Sequence, residues 1–288
     1  MKVITLSDHT TDQAAKLATG RQARFATATA AYNMAIARQA QIVGACQEAV
    51  ARARAKRAWW TWIKARWKLW NERHRLVARR PQLEAPNDQE AVWNAGKEGE
   101  ERVTTVLASQ LSDDWTLVQG YHAAKGEIDQ ILVGPQAVVA IEIKNTNGTV
   151  HVRGDMWTRD KYDRYGNLVE TGLRIADRGG RSPSDQINAT ADALQEELKS
   201  RVGVKVVFRI VVLCHENAKL GRIEELTVQS VGTLEQLNGN ALVGRLPQIY
   251  DIPTRSAIVK CIEQSHQRFM TRRSTPRKEG ARAGVTKT

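Results

Sequence analysis

The stretch from Gly126 to Lys144, GEIDQILVGPQAVVAIEIK, decides the fold. Two apolar runs, 128–133 and 137–143, flank Gly134-Pro135-Gln136 and read as a β-hairpin. A strand alternates its faces, so Glu142 and Lys144 project to one side and Val139, Ile141 and Ile143 to the other. A four-residue loop, 134–137, with Pro135 in its second position, pairs Val133 with Val138. Counting back then sets Asp129 opposite Glu142 and Glu127 opposite Lys144. Asp129, Glu142 and Lys144 converge on one patch at a sheet end. Like charges that close raise each other's pKa unless something positive separates them, and a divalent cation held by oxygen ligands is the simplest such object. A structural ion-pair cluster is the plainer reading of the same three residues.

Moving outward, residues 88–111 read as a helix with Glu100, Val103, Leu107 and Leu111 on one stripe. A carboxylate on a core-facing line is costly unless a cation or donor meets it. Strands are expected at 116–121, 127–133, 137–144 and 149–153, then an excursion over 154–181 with a hairpin around 164–167. Ser182-Pro183-Ser184-Asp185 is a capping box with proline in the first helical position, so a helix runs over 183–200. Beyond it come a central strand at 204–214, a strand near 226–231, a short helix at 233–238 and a helix at about 254–272. By itself this order defines a mixed α/β sheet with flanking helices. Arg178-Gly179-Gly180-Arg181, ahead of the capped helix, reads either as a phosphate cradle or as an exposed basic loop. His122, His151 and His215 have no partners at metal-ligand or triad spacing and read as structural.

Asp129, twelve intervening residues and then Glu142-Ile143-Lys144 resembles the D…E-x-K signature of the PD-(D/E)XK nuclease superfamily, with Ile128 where that signature has proline. GKEGEERV at 96–103, GEIDQILVG at 126–134, AIEIKNTNG at 140–148 and RSPSDQ at 181–186 resemble the NERD (nuclease-related) domain, over about 92–235. The resemblance implies a restriction-endonuclease-like fold: α/β, a mixed sheet flanked by helices. It also implies Mg2+, with Mn2+ as a substitute, held by Asp129, Glu142 and Glu100. Lys144 would orient the attacking water or stabilise developing charge, and Gln186 would position the nucleophile or a phosphate. The expected activity is metal-dependent phosphodiester hydrolysis, of DNA before RNA. The rival reading is a non-catalytic protein on the same fold that binds nucleic acid or another partner.

Composition sets the surroundings. Net charge is +12 over 288 residues and very uneven: residues 49–80 hold eleven Lys/Arg against Glu72 alone, and 268–288 hold seven against Glu279. The stretch 81–267 is left net negative, so the basic ends are the expected grip on a polyanion. Cys46, Cys214 and Cys261 form no CxxC and no even framework, which suits a reducing cytoplasm and offers no zinc site. No signal peptide and no membrane-spanning run is expected.

Between Gly44 and Pro81 the sequence predicts one long helix, about 45–79, in a basic helical extension covering 1–80. Trp59, Ile63, Trp67, Trp70 and Val77 fall on one face, with Arg57, Lys64, Lys68, Arg75 and Arg79 nearly opposite. Three readings stay open. The apolar face packs on the core or on a second copy of the chain; Lys64, Lys68, Arg75 and Arg79 bind phosphates while a tryptophan stacks on bases; or the helix attaches to an anionic membrane surface. Residues 81–91 read as a linker, 92–240 as the nuclease-like domain, 241–272 as a C-terminal helical segment and 273–288 as a disordered basic tail.

Overall fold

The loop after Val133 turns as its residues require. Gly134 N–H donates to Ala137 O at 3.0 Å, and a Cβ at Gly134 would lie 2.1 Å from the Trp115 ring, so only glycine fits. The resulting hairpin pairs Val133 with Val138 and continues to Gln130 with Ile141. It forms the middle of a sheet in a computed structural model that describes residues 1–75, 79–237 and 246–274. The chain divides into two units, one of residues 12–91 and one of residues 1–11 with 92 onward.

The larger unit holds strands β1 (Lys2–Thr5), β2 (Thr116–Ala123), β3 (Gly126–Val133), β4 (Val138–Lys144), β5 (Gly148–Arg153), β6 (Met156–Tyr162), β7 (Leu168–Arg174), β8 (Val207–Leu213), β9 (Ala218–Glu224) and β10 (Ser230–Thr233). Six of them form a mixed sheet in the order β1-β2-β3-β4-β8-β10. β1 runs parallel to β2, β2-β3-β4 form an antiparallel meander, and β8 lies parallel to both β4 and β10. Helices cover both faces. Val103 and Leu107 of α3 (Asp88–Gln110), with Leu111 just past its end, pack on Leu132, Val139, Ile141 and Ile143. On the other face, Ile187, Ala191 and Leu194 of α4 (Pro183–Val202), with Ile258 and Ile262 of α5 (Ile252–Ser274), pack on Ile131, Val133, Val138 and Ala140. This is the α/β, helix-flanked mixed sheet that the sequence predicts.

The capping box at Ser182 and Asp185 forms as expected, and α4 ends at Gly203 with φ 75°. The excursion becomes a second sheet, β7-β6-β5-β9. Trp157, buried beneath it, donates from Nε1 to Ser184 Oγ at 3.0 Å, and Ser184 Oγ donates to Asp155 Oδ1 at 2.7 Å, which ties this sheet to the start of α4. Three expectations differ. β1 and β9 were not legible as strands, and residues 234–236 form a turn where a short helix was expected, Asn238 lying outside the described residues. β1 is short and its burial shows no alternation, so its pairing with β2 decides its state.

The smaller unit is a helical hairpin. The single helix expected over 45–79 is two, α1 (His9–Ala55) and α2 (Trp59–His74). Arg57 takes a left-handed conformation at φ 51°, and Arg57 N–H and Ala58 N–H donate back to Arg54 O and Ala53 O. Those two bonds make a Schellman stop, with arginine where glycine is usual, so no sequence signal marks it. Residues Trp62, Ala65, Leu69 and Glu72 of α2 are partly buried, whereas Trp59, Ile63, Trp67 and Trp70 are exposed. Within this unit, among the described residues, the tryptophan face is left exposed. Arg21 meets Glu90 through two bonds of 3.0 and 3.3 Å, a largely buried pair within this unit. Val77 and the expected tail beyond Ser274 lie outside the described residues.

Candidate functional site

The paired ladder of β3 and β4 ends at Gln130 and Ile141, one step short of the register counted from the loop. Just beyond, the alternation of β2 and β3 slips. Val118 and Tyr121 share one face although three residues apart, as do Ile131 and Ile128. The slip falls at Gly120, with φ 67°, and at Asp129 between the register pairs on either side. A Cβ at Gly120 would lie 2.0 Å from Ser7 O, so the turn is available to glycine alone. The slip leaves Asp129 free to reach across: its Oδ2 accepts Ile143 N–H at 2.6 Å.

Glu142, 4% exposed, projects from β4 toward the α4 side of the sheet. Lys144 Nζ lies 2.6 Å from Glu142 Oε1 and donates to Gln186 Oε1 at 3.0 Å. Gln186 Nε2 in turn donates to Arg181 O at 2.9 Å, so the first turn of α4 holds the lysine over the end of β4. Burial and the neighbouring Asp129 charge push Glu142 up to about 7, with Lys144 opposing. Burial, then Asp129 and Glu142, push Glu127 up to about 8. Burial raises Asp129 as well, against Lys144 and the Ile143 N–H. Burial acts to lower Lys144, but Glu142 and Asp129 outweigh it and hold the ammonium above its ordinary value.

The remaining predicted residues fall as follows. Glu100 is partly buried on α3, and its charge, like that of Asp129, acts on the Cys214 thiol, which burial pushes up to about 11. Gln130, fully buried, donates to Glu100 O at 3.0 Å and Thr104 Oγ1 at 2.8 Å, a brace that sequence reasoning missed because an amide within an apolar strand carries no positional signal. Gly99 lets α3 press on Cys214; a Cβ there would lie 2.4 Å from its Sγ. Glu127 does not pair with Lys144: the strands part before that register is reached, and its Oε1 lies 3.4 Å from His122 Nε2. The loop before α4 turns its donors on its own Asp177, which accepts Gly179 N–H, Arg181 N–H and Arg181 Nε–H at 2.8 to 2.9 Å. Arg178 is exposed. His151 lies 3.2 Å from Asp160, and His215 Nδ1 accepts Asn217 N–H. Lys64, Lys68, Arg75 and Arg79 belong to the smaller unit and are exposed.

The donor set suits a hard dication. Glu127, Asp129 and Glu142 crowd one buried patch whose nearest ammonium is Lys144, and two of these carboxyls are held up near neutrality. Among the described residues no three His, Cys, Asp or Glu side chains group as a complete ligand set. Magnesium, which takes one or two carboxylates and keeps its waters, is compatible with Asp129 and Glu142 alone.

A mixed α/β sheet with buried carboxylates and a lysine at one strand end defines a class of site, and comparison with known proteins finds a likeness over part of the chain. Residues 95–214 match the family model of the nuclease-related domain (NERD). Placement in the PD-(D/E)XK superfamily accords with the family's name. The match runs from α3 to the end of β8 and takes in Glu100, Asp129, Glu142, Lys144 and Gln186. No curated protein and no solved structure matches the chain.

Proposed function

We propose that the chain is a metal-dependent nuclease that hydrolyses phosphodiester bonds, with DNA as the first-choice substrate and Mg2+, or Mn2+ in its place, as cofactor. The observation that carries this reading is the line Glu142–Lys144–Gln186, with Asp129 beside it, at the end of two central strands of the nuclease-related segment. Asp129 and Glu142 would hold the ion, with Glu100 as a further oxygen donor from α3. Bound there, the ion would acidify a water and neutralise charge on the phosphate.

The protein groups then have separate tasks. Lys144 keeps its proton and offers N–H donors to the phosphate oxygens, where negative charge grows as water adds and the P–O bond to the departing nucleotide breaks. Gln186 fixes the lysine through its carbonyl oxygen while its own amide is fixed by Arg181 O. Burial of Glu142 keeps bulk water from weakening these contacts. The exposed Lys64, Lys68, Arg75 and Arg79 add long-range attraction for a polyanion, Arg75 lying 3.7 Å from Glu72.

The 2.6 Å pair of Lys144 and Glu142 favours a second reading, a structural ion pair in a protein that binds nucleic acid without cutting it. One experiment separates the two. Linear, circular, single- and double-stranded DNA and RNA are incubated with the protein in Mg2+, Mn2+ or EDTA, with Glu142→Gln as control. Metal-dependent cleavage that the variant lacks supports the nuclease; binding without cleavage under every condition supports the second reading.

A further inference from the structure

Helix α2 has one face toward α1 and one face that is exposed among the described residues. The inner stripe is Trp62, Ala65, Leu69 and Glu72, with Gln39 Nε2 donating to Glu72 O at 2.7 Å and to Glu72 Oε2 at 3.0 Å. At about 100° per residue the opposite stripe is Trp60, Ile63, Trp67 and Trp70, exposed by 76%, 38%, 67% and 59%. Lys64 and Lys68 flank this stripe on one side, Arg66 and Arg73 on the other. Glu72 is the single acidic residue of α2 and is held inward by Gln39, so the outer face bears only cations.

We propose that this face docks on the surface of an anionic lipid bilayer, with the indoles seated among the headgroups and the four cations reaching the lipid phosphates. Tryptophans bracketed by lysine and arginine on one face of a helix are the features by which a helix lies in a membrane interface. The described helices include none long and apolar enough to cross a membrane, so the attachment is to one surface. Charge argues against a second copy as the occupant. Two such faces brought together would oppose Lys64, Arg66, Lys68 and Arg73 to their own kind, with no carboxylate of α2 between them. Shape argues against unpaired nucleic acid. Stacking platforms line a groove that follows the strand, whereas these rings stand on the outside of one helix, too exposed to have a second wall. A bilayer closes around a convex face. The inference does not depend on catalysis.

The test is flotation of the full chain with vesicles of phosphatidylglycerol and phosphatidylcholine, against vesicles of phosphatidylcholine alone. Binding is expected on the anionic vesicles and to weaken about fivefold for each of Lys64, Arg66, Lys68 and Arg73 replaced by glutamine. It is expected to weaken about tenfold for each of Trp60→Gln, Trp67→Gln and Trp70→Gln. These side chains are exposed, so helix content measured by circular dichroism should stay unchanged. No binding of the wild-type chain to anionic vesicles at low salt overturns the proposal. So does vesicle binding that survives the triple tryptophan variant, which would place the contact elsewhere, or a triple variant that loses only self-association or oligonucleotide binding.

Discussion

Glu142 and Glu127 hold protons to unusually high pH because burial, and after it the Asp129 charge, disfavour their charged forms. The folded values, about 7 and about 8, lie above the ordinary 4.5, so the folded state keeps protons that the unfolded chain releases. Their contribution to stability is therefore complete below the unfolded value and is lost as pH rises through 7 and 8. Metal-free protein should melt at lower temperature at about pH 8.5 than at about pH 5.5, with up to about 5 kcal/mol of the loss arising here. Mg2+ should restore much of that loss at the higher pH, and Glu142→Gln should flatten the profile. A melting temperature that ignores both pH and Mg2+ would remove the dication from this patch. For activity, Glu142→Gln and Asp129→Ala should each reduce cleavage by about a hundredfold or more while the fold persists. Lys144→Ala should reduce kcat by a similar factor and leave DNA affinity within a few fold, because its bond strengthens as the phosphate gains charge. Equal losses in affinity and rate would make Lys144 a general contact.

At the scale of elements, two turns and one helix contact can be tested by calorimetry. Ser182→Ala removes the acceptor for Asp185 N–H at the start of α4 and should cost about 1 kcal/mol. Arg57→Gly relieves a left-handed residue at the stop of α1 and should raise the stability of the helical hairpin by up to about 1 kcal/mol. Gly99→Ala puts a methyl into Cys214 Sγ and should cost about 1–3 kcal/mol, a cost that Cys214→Ala in the same chain should largely relieve. If the pair of changes is simply additive, α3 does not rest on Cys214.

For the whole molecule, β1 changes how the basic N-terminal region can be tested. Deleting residues 1–86 would strip Lys2–Thr5 from the edge of the six-stranded sheet, so lost activity would say nothing about nucleic-acid binding. Replacing Lys64, Lys68, Arg75 and Arg79 with glutamine leaves both the sheet and the inner stripe of α2 intact. If these four contact phosphates, the slope of log affinity against log salt should flatten by about 3 to 4. An unchanged slope in the folded variant would place the grip elsewhere. The cluster Lys64, Arg66, Lys68 and Arg73, titrated against anionic vesicles, probes a different partner of the same helix.

The sequence by itself determined what depends on near neighbours along the chain. The pairing of Val133 with Val138 follows from a four-residue loop, the start of α4 from its capping box, and the shared face of Glu142 and Lys144 from the period of a strand. Tertiary structure decided what depends on groups distant in sequence. Ser7 packs against Gly120, Asp129 opposite that turn accepts Ile143 N–H, and Gln186, 42 residues beyond Lys144, holds the lysine. Asp177 claims donors of a loop that the sequence reads either as a phosphate cradle or as an exposed basic loop. The tryptophans of α2 show the same limit: helical period groups them on one face, but only the position of α1 determines that this face points outward.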